Sequence, residues 1–234
     1  MFRRDSIDSA DGIYNFLDEG MIDDYVECYN QKAHDELKKK IVPEDLQSAL
    51  FNCCEAALGK ISDDSWVIDV GASYGFFINQ LQAQNKIALD ISREYLKQIN
   101  DGIVKICCDA EDIPIIDDYC DVVICIDVIE HVKNVEALAS EIRRILKPNG
   151  TLILACPWEQ DLSVYDTEEY KKKYQKYKYT HLRSIDQETI ERNFSDFEIV
   201  AWTMVRIGEK LMTIKPYPVR FMKLVSKKHR ESED

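Results

Sequence analysis

Long apolar runs are missing from this sequence. The central run at 122–126 is five residues long and ends at Asp127, whereas a membrane-spanning helix needs about 20 apolar residues. No transmembrane segment is expected. Nor does an apolar stretch follow Arg3 and Arg4, where a secretion signal would have one; Asp5, Asp8 and Asp11 stand there instead, which points to a cytoplasmic location. Bases are scarce, with 30 Lys and Arg against 43 Asp and Glu and a net charge of −13. That balance repels phosphate backbones at long range and argues against general nucleic-acid binding. Eight glycines and six prolines in 234 residues are too few for a collagen-like or low-complexity chain. Eight cysteines are present, but no Cys-x-x-Cys or Cys-x-x-His spacing occurs, so neither a disulfide framework nor a zinc site is indicated. Most lie in or beside apolar segments, where a free thiol acts as a small hydrophobe, and no metal is expected.

What is there reads as one α/β domain, since a chain of this length and 45% hydrophobic content can build a single substantial core. Apolar residues recur at helical intervals in 21–58, with a break near Pro43. From Trp66 onward, short apolar runs at 66–70, 86–89, 103–107, 122–126 and 151–155 alternate with helical segments at 76–84, 92–99 and 135–146. That alternation predicts parallel βαβ units. A helix near 185–194 and strand-like runs at 197–207 and 221–225 follow.

The strongest local signal is Val67-Ile-Asp-Val-Gly71-Ala-Ser-Tyr-Gly75, an apolar strand entering a turn with glycine at both ends. A dinucleotide fingerprint would need glycines at 73 and 76, where Ser73 and Phe76 stand. The same residues spell the G-x-S-x-G nucleophile elbow of hydrolases, with Ser73 as nucleophile and His131 or His181 as base. That elbow normally follows several strands, yet the 70 preceding residues read mostly as helix. A third reading takes in more of the chain. Asp69 precedes Gly71 by two residues, Asp90 closes the second strand nineteen residues after it, and Asp109 ends the third. Acids at the carboxyl ends of successive parallel strands line one crevice, and one about 20 residues past the loop suits a ribose diol.

At this point the chain resembles the class I S-adenosylmethionine-dependent methyltransferases, in particular their type 11 branch. The pieces that carry the resemblance are the loop just quoted, Leu89-Asp-Ile-Ser92, Asp109-Ala-Glu-Asp-Ile-Pro114, Cys120-Asp-Val-Val-Ile-Cys-Ile-Asp-Val-Ile-Glu-His-Val132, and Glu141-Ile-Arg-Arg-Ile-Leu-Lys-Pro-Asn-Gly-Thr-Leu152. They run in family order from Trp66 to Pro157, and Ser73 is the one departure, at a small-residue position often filled by glycine. The resemblance implies a Rossmann-like, seven-stranded, mostly parallel sheet with the last strand antiparallel. Its parts would be a helical N-terminal cover (1–62), a cofactor half (63–157) and a substrate-side insertion with the final strands (158–234).

The cofactor implied is S-adenosyl-L-methionine. Gly71, Ala72, Ser73 and Gly75 would bring backbone to its methionine part, with Asp69 near the amino group. Asp90 would accept from the ribose hydroxyls while Ile91 packs on the adenine. Asp109 and the Ala110 amide would meet the adenine edge, and Ile126 and Asp127 would lie beside the sulfonium. His131 and His181 are candidate bases for an acceptor proton, although His131 can equally anchor a loop and His181 a helix end or the core. Arg183 and Tyr179 are candidate acceptor contacts. The run 170–179, rich in Tyr and Lys, and the basic tail 215–230 could meet an anionic acceptor or serve as solvated surface. The expected partner is a small-molecule acceptor, anionic in one version, with the protein a monomer or homodimer. An RNA or protein methyltransferase and a catalytically silent cofactor-binding subunit are the alternatives.

Overall fold

Strand formation follows the apolar runs closely. β2 (Trp66–Val70), β3 (Asn85–Asp90), β4 (Val104–Cys107), β5 (Cys120–Ile126) and the long β6 (Leu146–Pro157) are parallel neighbours within one sheet. The computed structural model describes residues 1–17, 23–39, 44–163, 167–168, 181–205 and 219–227. The sheet order is β1-β4-β3-β2-β5-β6-β8-β7, where β7 spans Phe197–Val205 and β8 spans Val219–Ser226. β8 runs antiparallel to both β6 and β7.

Central strands are buried on both faces because helices cover both sides. Alternate residues of β5 therefore enter different apolar layers: Val123 and Cys125 join one, and Val122, Ile124 and Ile126 join the other. The first layer is closed by α5 (Val135–Ile145), whose Val135, Leu138, Ala139, Ile142 and Ile145 form one buried stripe. Asn134 caps that helix by accepting from the amides of Glu136 and Ala137 at 3.0 and 3.2 Å. The chain then turns directly into β6 at Leu146. A short helix α6 (Gln187–Asn193), capped by Asp186, packs beside α5. The other layer is roofed by α1 (Asp24–Lys39) and α2 (Glu44–Leu58), with Lys223 on β8 bonding the Ala57 carbonyl at 2.7 Å. Among the described residues, no helix is long and apolar enough to cross a membrane.

The strand count corrects the seven expected: among the described residues the sheet has eight. The additional strand is β1 (Ile13–Asn15), which pairs in parallel with β4 at the sheet edge. Three residues, Ile-Tyr-Asn, are too short to carry a two-residue periodicity, so nothing in the sequence marked them. Tertiary contacts hold them instead. Asn15 Nδ2 donates to Asp8 and to the Leu17 carbonyl, both at 3.2 Å, and its Oδ1 accepts from the Leu17 amide at 3.1 Å. The N-terminal residues dock against the same edge through Arg3 N to Pro114 O and Ile116 N to Met1 O. Two helices are also shorter than their apolar patterns: α3 covers Phe76–Gln80 and α4 covers Arg93–Leu96. Leu81 already has extended backbone, and the residues after Leu96 continue in tighter i to i+3 turns. The helix break placed near Pro43, the 206–207 end of β7, the 170–179 run and residues 215–218 and 228–230 of the basic tail lie outside the described residues.

If β1 is an integral strand, Asn15→Ala should destabilise the protein by about 1–2 kcal/mol through loss of its hydrogen bonds. A midpoint shift in urea denaturation measures this; an unchanged midpoint would count against an ordered β1.

Candidate cofactor and acceptor site

The carboxyl ends of β2, β3, β4 and β5 open onto one cavity of about 380 Å³, roofed by α1 and α2. This is where an open parallel sheet binds ligands, and the volume lies within the range of small-molecule sites.

The glycine loop turns tightly above β2. Gly71 has φ +73°, and a Cβ there would lie 2.4 Å from Val128 Cγ2; Gly75 has φ +84° and would place a Cβ 2.9 Å from Ile99 Cγ1. Both positions therefore exclude a side chain by conformation and by space. The amides of Gly71 and Ala72 both donate to the Leu89 carbonyl, at 2.9 and 2.8 Å, which locks the loop onto β3. Ser73 also sits at positive φ, 49°, and its amide donates to Asp90 Oδ2 at 2.8 Å. On the other side, Ser92 N donates to Asp90 Oδ1, again at 2.8 Å. The loop is thus wrapped around a carboxylate.

Burial raises the Asp90 carboxyl to about 6, against the opposing pull of the Ser92 and Ser73 amides. Asp69 is more extreme. It is 2% exposed, its Oδ2 has no hydrogen-bond partner, and burial together with the Asp90 charge raises it to about 8. A buried polar atom left unpaired is costly and marks a place where a ligand group belongs. Asp109 lines the cavity while its Oδ1 accepts from the Glu111 amide at 2.9 Å, as in an Asx turn. Ile91, Ala110 and Ile126 also line it, and Asp127 does so from a left-handed backbone, φ 54°, with its amide bonded to the Ala155 carbonyl at 2.9 Å. All eleven residues singled out for the cofactor therefore lie at the carboxyl ends of β2, β3, β4 and β5 or in the loops that follow them, and ten of them line the cavity; Gly75 is the N-cap of α3.

His131 and His181 meet at the far end, with ring centroids 4.9 Å apart in a T-shaped pair. Burial lowers the His181 ring to about 4, so it is neutral near pH 7. Its Nδ1 is hydrogen-bonded to Gln160 Oε1. Arg183 does not line the cavity. Its guanidinium bonds the carbonyls of Ile129, Val132 and Lys133, tying the segment around residue 181 to the loop after β5. Tyr179 lies outside the described residues.

Several cavity residues were not foreseen. Tyr25, Tyr29, Lys32 and Glu36 project from one face of α1 at helical spacing, and Gln47 and Leu50 come from α2. Tyr25 donates to the His131 carbonyl at 3.1 Å and Tyr74 to Gln47 Oε1 at 2.6 Å, while Tyr95 bonds Glu36. The signal available in the sequence was the mixture of hydroxyls and charges on the very face of α1 that packs inward. Glu130, next to the cavity-lining His131, is buried with neither carboxylate oxygen hydrogen-bonded, and it too carried no signal in the sequence.

With this geometry in place, comparison with known proteins is informative. Residues 68–154 match the family model of the type 11 methyltransferase domain. This segment is a methyltransferase domain. An uncharacterized protein of Methanocaldococcus jannaschii is 44% identical over 91 residues, 39% of this chain, and the match spans 40% of that relative's length. Similar solved structures include a Thermotoga maritima S-adenosylmethionine-dependent methyltransferase, with TM-score 0.61 and 17% identity over 87% of this chain and 100% of that one. Another is Haemonchus contortus phosphoethanolamine N-methyltransferase 2 in complex with S-adenosyl-L-methionine, with TM-score 0.58 and 17% identity over 77% of this chain and 53% of that one. At these identities the structural likenesses speak for the fold.

The packing of Gly71 yields a direct test. Gly71→Ala should destabilise the protein by about 2–3 kcal/mol, from the left-handed backbone and the clash with Val128. Combining it with Val128→Ala should recover part of this in thermal denaturation, and no recovery would show that the close approach is not the cause.

Proposed function

We propose that the protein transfers the methyl group of S-adenosylmethionine to a small-molecule acceptor bound in this cavity. The observation that carries the reading is the pair of buried carboxylates, Asp69 and Asp90, facing a cavity that also holds a second set of polar groups at its far end. The donor set fits the cofactor: an unpaired carboxylate oxygen on Asp69 suits an ammonium group, and Asp90, oriented by two amides, suits two hydroxyls. In this reading Gly71, Ala72, Ser73 and Gly75 let backbone approach the methionine part. Ile91 and Ala110 flank the adenine, Asp109 accepts from its amino group, and Ile126 and Asp127 border the reacting centre.

When bound, the cofactor supplies a methyl carbon already activated by its sulfonium. The residues of this chain then have three tasks. The roof of α1 and α2 excludes water, which keeps the reacting pair dry. The far wall, from Tyr29, Lys32, His131 and His181, orients the acceptor so that its nucleophilic atom sits about 3–3.5 Å from the methyl group and in line. A neutral imidazole such as His181 can take the acceptor's proton as the bond forms. An enclosed cavity favours a small molecule over a nucleic-acid or protein surface. One similar structure, a Haloferax volcanii methyltransferase in complex with the Trm112 methyltransferase activator, keeps a regulated or partner-dependent version of the activity as the second reading.

Cofactor binding should be coupled to protons. With Asp69 raised to about 8 in the empty site, binding an ammonium group requires its ionised form and so releases a proton. Affinity for S-adenosylmethionine should therefore rise from pH 6 to 8, by up to about tenfold per pH unit, and level off above. Calorimetry in buffers of different ionisation enthalpy reads the proton release directly. Asp69→Asn should flatten the pH dependence, and Asp90→Ala should lower affinity at every pH; a parent protein without measurable binding would refute the proposal.

The same residue sets a stability effect of opposite sign. A carboxyl raised in the folded state stabilises the fold below its unfolded value near 4, and that contribution is lost as pH rises through about 8. The cofactor-free Asp69→Asn protein should consequently melt higher than the parent at pH 8, by about 2–4 °C for each 1 kcal/mol gained, and show little gain at pH 4.

A further inference from the structure

The geometry points to a divalent-cation site formed by Glu130, His131 and His181 at the acceptor end of the cavity. Glu130 is 1% exposed, and neither of its carboxylate oxygens has a hydrogen-bond partner. Its Oε1 lies 3.9 Å from Nε2 of His131 and 3.9 Å from Nε2 of His181. One donor atom from each of the three side chains falls within 4.8 Å of the other two. These separations exceed a hydrogen bond. Three donors this close can meet one ion at about 2.0–2.2 Å once side-chain rotation draws them a few tenths of an ångström closer together.

The surrounding bonds hold this arrangement in place. With Gln160 Oε1 accepting, His181 donates from Nδ1, which makes its Nε2, 3.9 Å from Glu130 Oε1, the lone-pair nitrogen of the neutral ring. Such an outer oxygen on the second ring nitrogen is how metal-binding histidines are usually oriented. Leu182 N donates to the Glu130 carbonyl at 2.8 Å, and Arg183 bonds three carbonyls of the same loop, so the two chain segments that supply the donors are clamped together. Tyr25 fixes the His131 carbonyl from the roof.

Two imidazoles and one carboxylate favour a first-row transition ion such as Mn, Co or Zn over Mg or Ca, which prefer all-oxygen shells. His131 and His181 both border the cavity. The ion's remaining positions would therefore face the cavity, as in catalytic sites, and would take oxygen donors; with the ion bound, His181 is a ligand and no longer the proton acceptor. That an acceptor oxygen fills one of them rests on the methyl-transfer reading; the ion site itself does not. The sequence carries no such spacing signal, because Glu130 and His131 are adjacent and His181 lies fifty residues beyond them.

Full-length protein, stripped with a chelator and titrated with Co(II), should take up one ion per chain, with d–d absorption and no thiolate charge-transfer band. Glu130→Gln, which keeps shape and removes charge, should weaken binding more than tenfold, as should His181→Ala; Gln160→Ala should weaken it by about tenfold. Retained binding of S-adenosylhomocysteine in each variant reports an intact fold. No uptake by the parent, thiolate bands from the buried cysteines, or unchanged affinity in both Glu130→Gln and His181→Ala would overturn the site. Co(II) uptake without S-adenosylhomocysteine binding in the parent would instead leave the ion site standing and remove the cofactor reading.

Discussion

Desolvated negative charge at the carboxyl edge of the sheet is the constraint to which the rest of this structure answers. Asp69, Asp90 and Glu130 are each less than a tenth exposed, and burial is the first cause of the raised carboxyl of every one. A carboxylate removed from water is unfavourable unless hydrogen bonds or a cation compensate. Asp90 has its compensation in the Ser73 and Ser92 amides. Asp69 and Glu130 keep unpaired oxygens, and the field of Lys32 reaches Asp90, Asp127 and Glu130 from the roof. The site is therefore held in a state that a cationic ligand would relieve, which explains why a chain of net charge −13 places acids where an apolar core would be cheaper.

The scaffold makes that arrangement stable. Alternation along β5 feeds two apolar layers, one closed by α5 and the other by α1 and α2. The strand ends, where alternation stops, are the places at which polar side chains can be presented without breaking either layer. Asp69 is the informative exception, since it stands inside β2 and still faces the cavity. Its neighbours Ile68 and Val70 belong to the opposite layer, so its carboxylate occupies a position that the two-residue period assigns to the ligand side.

Much of this was legible in the sequence because it is local. The β2 loop and the acid that ends β3 nineteen residues beyond Gly71 are each encoded within a few residues, and the central strands fell where the apolar runs lay; the turn residues at 148–150, by contrast, lie inside β6, because the helix already ends at Ile145. What escaped depends on distant contacts. β1 exists because Asn15, Asp8 and Arg93 meet across the edge of the sheet, and a three-residue strand has no periodicity of its own. The roof residues Tyr29, Lys32 and Glu36 resemble an ordinary amphipathic helix until α1 is seen to pack over a cavity. Arg183 was singled out for its charge and its place beside His181; only the fold reveals that its donors are directed at three backbone carbonyls.

The two ends of the cavity also explain each other. A sulfonium cofactor carries positive charge to the middle of the site, and a divalent ion at the histidine end would add more a short distance away. In a poorly hydrated cavity such like charges repel strongly unless anions lie between or beside them. Asp127 and Glu130 occupy that region, three residues apart on the loop after β5, with Asp127 turned into the cavity by a left-handed backbone that a non-glycine residue adopts only at some cost. The strained backbone, the unpaired glutamate and the clamped histidines are then three parts of one electrostatic solution. On the reading proposed above they would set negative charge beside both cations, while the roof of α1 and α2 would keep out the water that otherwise screens them.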